Sequence, residues 1–184
     1  MNRELYLCSL LMLAVFAGMI WYLAEYVSSN QEALFNNSYN SQQRVLAQEN
    51  TRGTIYAGTG EVLAQTVIAE DGTSVREYPY KNIFAHVVGY TDKGKTGIEE
   101  LENYQLIHSD ISDREKLDHE LAGEKNPGND VYTTLDTSLQ QAASDALGLY
   151  RGAIVVTEVK TGRVLAMVSK PDYDPNKIAE NWET

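Results

Sequence analysis

The side chains that could do chemistry are few and dispersed along this 184-residue chain. His86, His108 and His119 could ligate a metal, but none stands at the spacing that places two imidazoles on one helical face. They are read as satisfied or exposed histidines. Asp172 and Asp174, flanking Tyr173, could imitate a pair of catalytic carboxylates. Such pairs usually come from separate elements, and Pro171 and Pro175 make this stretch a turn. Gly58-Thr59-Gly60 could cradle a phosphate, yet it lacks the Lys and the following helix that a phosphate loop needs. The single cysteine, Cys8, excludes an internal disulfide and a four-cysteine zinc site. No metal and no cofactor is expected.

Charge narrows the partners. Fifteen Lys and Arg against 26 Asp and Glu give a net charge of −11 and a pI near 4.7. Binding to a phosphate backbone needs clustered cations that release counterions, so nucleic acid is excluded as a main ligand.

The elements that must position these residues begin with a membrane segment. Residues 5–24 run LYLCSLLMLAVFAGMIWYLA without a charge. About twenty residues at 1.5 Å each cross a hydrocarbon core of roughly 30 Å. Trp21, Tyr22 and Tyr26 gather at one end, where amphipathic rings favour the headgroups. A cleavable signal is the competing reading, with Val15-Phe16-Ala17 as its site. The apolar run continues past that site through Met19, Ile20, Trp21 and Leu23, which favours an uncleaved anchor. Arg3 and the α-amino group favour a cytoplasmic N-terminus and an extracytoplasmic remainder.

Residues 28–50 read as a polar stalk, partly helical near 42–48. Short β-rich runs at 54–56, Val62–Ile68 and 74–78, with turns at Gly58-Thr59-Gly60 and Asp71-Gly72, predict a meander. Helical spacing follows over Gly97 to Ile107, and a capping box at Ser112 and Glu115 opens a helix that Gly123 ends. Residues 124–129, with Pro127-Gly128 as breaker, mark a domain boundary. Beyond it come a β-run at 130–135 and a helix capped by Thr137 and Gln140. That helix is expected to present Leu139, Ala142, Ala143, Ala146, Leu147 and Tyr150 on one face. A hairpin of 152–159 and 163–169 then turns at Lys160-Thr161-Gly162.

In this order the motifs resemble the N-terminal part of a class B penicillin-binding protein, of the penicillin-binding protein 2 or A type. Behind one membrane span, Arg52-Gly53-Thr54-Ile55 with Gly60 and Leu63-Ala64 resembles the RGxI entry to the pedestal domain. Arg76-Glu77-Tyr78-Pro79 resembles RxYP, His86-Val87-Val88-Gly89-Tyr90 resembles HVxGY, and Gly97-Ile98-Glu99-Glu100-Leu101-Glu102 resembles GIExLE. Thr134-Leu135-Asp136 with Leu139-Gln140, Gly152-Ala153-Ile154-Val155-Val156, Thr161 to Ser169 and Asp174-Pro175-Asn176 resemble the opening of the transpeptidase domain. One departure is Ala57-Gly58-Thr59-Gly60 where the family often has Asp-Arg-Asn-Gly, which keeps the turn and loses its charges.

The resemblance implies acyl transfer by a serine whose proton passes to a lysine one helical turn on, aided by S-x-N and K-T-G elements. No serine in the 184 residues has Lys three positions later; Ser112, Ser138 and Ser144 are followed there by Glu115, Gln141 and Leu147. Lys95-Thr96-Gly97, Lys160-Thr161-Gly162, Ser28-Ser29-Asn30 and Ser38-Tyr39-Asn40 spell the other elements in the wrong places. No catalytic residue is therefore assigned. Arg52, Arg76 and Glu99, with Glu102 as a weaker fourth, could be ordinary surface charges. The resemblance implies instead an ion-pair network of the pedestal, structural in role.

The expected architecture is α+β. An anchor occupies 1–27, a stalk 28–50, a small pedestal of the dimerisation-domain type 51–126, and the incomplete start of a transpeptidase domain 127–184. The implied parent is a peptidoglycan D,D-transpeptidase of cell-wall synthesis in a bacterial cell membrane. It would act on peptidoglycan stem peptides, be inhibited by β-lactams, and have a polytopic glycosyltransferase or divisome protein as a possible partner. This stretch alone is expected to be inactive. The alternative is a non-enzymatic, membrane-anchored scaffold.

Overall fold

An uninterrupted apolar sequence with no proline favours a long helix, and α1 occupies Arg3–Ser29 in the computed structural model. Its 27 residues extend about 40 Å at 1.5 Å per residue, longer than a hydrocarbon core of about 30 Å. None of its residues is buried within the protein, Cys8 included. The structure describes residues 3–35, 42–69 and 73–181. The Asp71-Gly72 turn and the Ser38-Tyr39-Asn40 triplet lie outside them. Two units divide the chain, Met1–Asn40 and Ser41–Thr184. The first holds α1 and the short α2, Gln31–Phe35.

The second unit opens with α3, Gln42–Glu49, and β1, Asn50–Thr51. β2 (Ile55–Tyr56), β3 (Val62–Ile68) and β4 (Ser74–Glu77) follow as an antiparallel meander. A 3-10 turn, Lys81–Ile83, leads into α4, Ala85–Val88. Where the spacing predicts one helix over Gly97 to Ile107, there are two. α5, Gly97–Leu101, and α6, Asn103–Ile107, meet at Glu102, whose φ of −96° and ψ of 19° leave helical geometry. Glu99 and Asn103 point inward from the two helices, while Leu101 remains 70% exposed.

α7, Asp113–Ala122, carries the full Ser112–Glu115 capping box and ends at Gly123 in the left-handed conformation, φ 71°. The chain then returns to the start of the unit. β5, Asn126–Pro127, lies parallel to β1, and β6, Val131–Tyr132, lies parallel to β2. The four-stranded sheet therefore runs β4-β3-β2-β6. β6 is shorter than the run at 130–135, because Thr133 and Leu135 turn to bond β2 and its following loop rather than a further strand. Ile55, Leu63, Ala64, Tyr78, Phe84, Val88 and Leu106 form the core beneath this sheet.

α8, Thr137–Leu147, is capped by Asp136, whose side chain accepts from the Leu139 amide. Thr137 is thus the first helical residue rather than the cap. The buried face also differs from the apolar stripe. Gln140, Ala143 and Ser144 are buried, whereas Leu139 and Tyr150 are exposed. Polar residues can face inward here because Gln140 finds backbone partners on both sides. β7, Gly152–Thr157, and β8, Val164–Lys170, form the hairpin, with Gly162 at φ 76° in its turn. A 3-10 turn, Pro175–Lys177, and α9, Ile178–Asn181, complete the described residues.

Candidate functional site: a buried ion cluster

Arg52 lies just before β2, Arg76 on β4 and Glu99 on α5, so three separate elements carry the charged candidates. The fold brings all three together. Glu99 is completely buried. Its Oε2 takes Arg52 Nε at 2.6 Å and its Oε1 takes Arg76 Nε at 2.8 Å. The two guanidinium side chains are only 13% and 7% exposed. Glu102 forms no ion pair among the described residues and marks the break between α5 and α6.

Most of the remaining donors are paired, while Arg76 Nη2 is buried without a hydrogen-bond partner among the described residues. Arg52 Nη2 donates to the Glu99 carbonyl at 2.6 Å and Nη1 to Asn103 Oδ1 at 2.8 Å. Arg76 Nη1 donates to the Gly53 carbonyl at 2.7 Å and to Thr66 Oγ1 at 3.0 Å. The Thr66 hydroxyl in turn donates to the Arg52 carbonyl at 2.9 Å. A buried charge is tolerable only when paired and hydrogen-bonded in this manner.

Two more groups complete the cluster. The Tyr78 hydroxyl donates to Glu99 Oε1 at 3.3 Å. Burial, and then the negative charge of Glu99, pushes its pKa well above the usual tyrosine range. Lys95 Nζ donates to Gln43 Oε1 at 3.3 Å, bringing α3 to the edge of the cluster. Burial and then the repulsion of Arg52 lower the Lys95 pKa, and burial also lowers that of Arg52. Sequence reasoning missed Tyr78, Lys95 and Asn103 as members. Asn103 had a signal, since it stands four residues after Glu99, one helical turn away.

Close backbone approach holds the loop that carries Arg52. Gly53 N–H donates to the Leu106 carbonyl at 2.8 Å, and Gly128 N–H to the Thr51 carbonyl at 2.7 Å. A Cβ on Gly53 would lie 2.0 Å from the Asn129 carbonyl oxygen, and one on Gly128 2.1 Å from that of Leu106. Only glycine fits at either position. A depression of about 320 Å³ beside Arg52 is lined by Thr54, Thr66, His119, Lys125 and Asp130, among others. Among the described residues that line it there is no Ser or Cys.

The other candidates serve local structure. His86 donates to the Pro171 carbonyl at 2.9 Å, His108 stacks on Tyr104 at 5.1 Å, and His119 Nδ1 lies 3.3 Å from the Lys125 carbonyl. Asp172 accepts from Asn82, and Asp174 accepts from the Asn176 amide. Lys160-Thr161-Gly162 forms the hairpin turn, where Thr161 and Arg163 both bond Glu158. Lys95-Thr96-Gly97 enters α5, and Ser28-Ser29-Asn30 closes α1.

Comparison with known proteins places this geometry. Residues 52–131 match the family model of the penicillin binding protein A dimerisation domain, and 152–184 that of the penicillin binding protein transpeptidase domain. The peptidoglycan D,D-transpeptidase PbpA of Mycolicibacterium smegmatis is 41% identical over 150 residues, covering 74% of this chain and 30% of that protein. The D,D-transpeptidase MrdA of Escherichia coli K12 is 34% identical over 142 residues, covering 59% of this chain and 22% of that protein. Among solved structures, the imipenem acyl-enzyme complex of penicillin-binding protein A from M. tuberculosis is similar with a TM-score of 0.64 at 32% identity. That match covers 73% of this chain and 35% of the other. The D,D-transpeptidase domain of a peptidoglycan glycosyltransferase from Eggerthella lenta is similar with a TM-score of 0.60 at 40% identity, covering 73% and 29%. The chain thus spans less than a third of the length of these curated relatives. It belongs to the class B penicillin-binding proteins, whose N-terminal part it matches.

Proposed function

We propose that this chain is the anchor, pedestal and opening hairpin layer of a peptidoglycan D,D-transpeptidase of cell-wall synthesis. In this reading residues 1–27 are the cytoplasmic tip and span, 28–50 the stalk, 51–126 the pedestal, and 127–184 the start of the transpeptidase domain. The N-terminus faces the cytoplasm, and the rest lies outside the membrane, where peptidoglycan is made. The reaction of the whole protein is acyl transfer from a stem peptide to a serine and on to an acceptor amine, with β-lactams as trapping analogues. The observation that carries the reading is the order of the two family matches behind an apolar helix of 27 residues. A buried, catalytically idle ion cluster fits a pedestal that supports chemistry placed elsewhere. The pedestal also offers a surface for a polytopic glycosyltransferase partner.

A fluorescent penicillin tests this directly. The 184-residue chain, with no Ser-x-x-Lys, is expected to give no covalent band. The complete gene product, tagged at this N-terminus and recovered from its own host, is expected to give one. A band on the 184-residue chain, or none on the complete product, overturns the reading. The second result would favour the non-enzymatic scaffold.

A further inference from the structure

A primary amide carries a donor and an acceptor on one carbon, so a single Asn or Gln side chain can satisfy one residue's N–H and C=O together, as a neighbouring strand would. Two side chains in this protein do so. Asn176 Oδ1 accepts from the Tyr78 amide at 2.9 Å, while its Nδ2 donates to the Tyr78 carbonyl at 3.0 Å. Gln140 Oε1 accepts from the Met167 amide at 2.8 Å, while its Nε2 donates to the Met167 carbonyl at 2.8 Å. Met167 is on β8, so the Gln140 amide occupies the free edge of the hairpin. The same Nε2 also donates to the Ile83 carbonyl at 2.8 Å.

These bonds join stretches that belong to different family matches. Tyr78 and Ile83 fall within 52–131, Met167 and Asn176 within 152–184, and Gln140 between the two. Three further contacts run along the same seam. The Tyr173 hydroxyl donates to the Ala85 carbonyl at 2.9 Å, His86 Nε2 to the Pro171 carbonyl at 2.9 Å, and Asn82 Nδ2 to Asp172 at 2.9 Å. Four of these contacts tie residues 78–88 to the loop 171–176 that directly follows the hairpin. The Gln140 amide links Ile83 to β8 itself, which leaves little freedom between residues 78–88 and the hairpin with its following loop. Independently, residues 41–184 form one compact unit with no division near 131–152.

We infer that residues 78–88 and the β7–β8 hairpin form a single cooperative folding unit crossing the gap between the two family matches, with Gln140 and Asn176 as its clasps. The pedestal and the opening of the transpeptidase domain then loosen together rather than as two bodies on a linker. The inference rests on the hydrogen bonds alone and holds whichever reaction the complete protein performs.

Native-state hydrogen exchange, measured by NMR on the full 184-residue chain in micelles along a denaturant series, tests it. The expected result is one shared opening isotherm for the Val88 amide of α4, the Ile154 amide of β7 and the Met167 amide of β8. Gln140→Leu leaves both Met167 groups unpaired and removes the link to Ile83. It is expected to speed exchange at Val88 as well as Ile154 by about tenfold or more. Asn176→Ala, on the protein surface, is expected to act in the same direction without preventing folding. A hairpin that opens in either variant while Val88 keeps its original rate overturns the inference. So do separate isotherms for the two groups in the unaltered chain.

Discussion

Arg52 and Glu99 meet twice, through the carboxylate at 2.6 Å and through the Glu99 backbone carbonyl at 2.6 Å. The arginine therefore grips both the side chain of α5 and its main chain. It fixes the position of the helix as well as its charge.

Removing the acid from this pair should be costly. Glu99→Gln leaves two largely buried guanidinium groups without a counter-charge. A loss of about 3–5 kcal/mol in unfolding free energy is expected from denaturant titration. Arg52→Lys keeps the charge but cannot reach Asn103, the Glu99 carbonyl and the carboxylate at once. It is expected to cost roughly 1.5–3 kcal/mol, the worth of a hydrogen bond to a charged group.

Gly53→Ala should destabilise without touching any charge. The new methyl would lie 2.0 Å from one atom and 2.6 Å from another of the Asn129 main chain, where no flexible side chain can yield. A cost of about 3 kcal/mol, toward the top of the range for overpacking, is expected by the same titration. Arg52 Nε should shift in the NMR spectrum as the loop is pushed from α5.

Alkaline pH should unfold the protein partly through Tyr78. Its phenol pKa is raised in the folded state, chiefly by burial and then by Glu99. The unfolded chain loses this proton near pH 10 and the folded chain does not, so stability falls as pH rises above about 10. Tyr78→Phe removes that dependence. The slope of stability against pH between 10 and 11 should be smaller in the variant.

Acid acts at α7. The Ser112 hydroxyl and then the Ser112 amide hold the Glu115 carboxyl below the usual glutamate range. A depressed folded pKa means the cap stabilises fully above about pH 4.3 and is lost as pH falls through the folded value. Carbon-detected NMR titration should place Glu115 below the other exposed glutamates. Ser112→Ala should return it toward them and fray the first turn of α7.

The sequence made the local devices legible. The Ser112–Glu115 box, the left-handed Gly123 and Gly162, and the meander of β2, β3 and β4 are all set by residues within a few positions of each other. Arg52 and Glu99 stand 47 residues apart, and only the order of family motifs suggested that they meet. The inward face of α8 was hidden for a different reason. Apolar periodicity assigns Gln140 to solvent, whereas its amide is completed by main-chain groups of Ile83 and Met167 that no pattern reveals. Parallel pairing of β6 with β2 was equally silent, because a strand of two residues carries almost no alternation.

That parallel pairing sets a timetable for synthesis. The Tyr56 carbonyl waits for the amide and hydroxyl of Thr133, 77 residues further along the chain. At translation rates of about 5–20 residues per second, the edge of β2 stays open for roughly 4–15 s after it emerges. During that interval the nascent sheet presents unpaired main-chain groups along the open edge of β2. A chaperone that shields extended segments would find its client here, between the making of Tyr56 and the arrival of Tyr132.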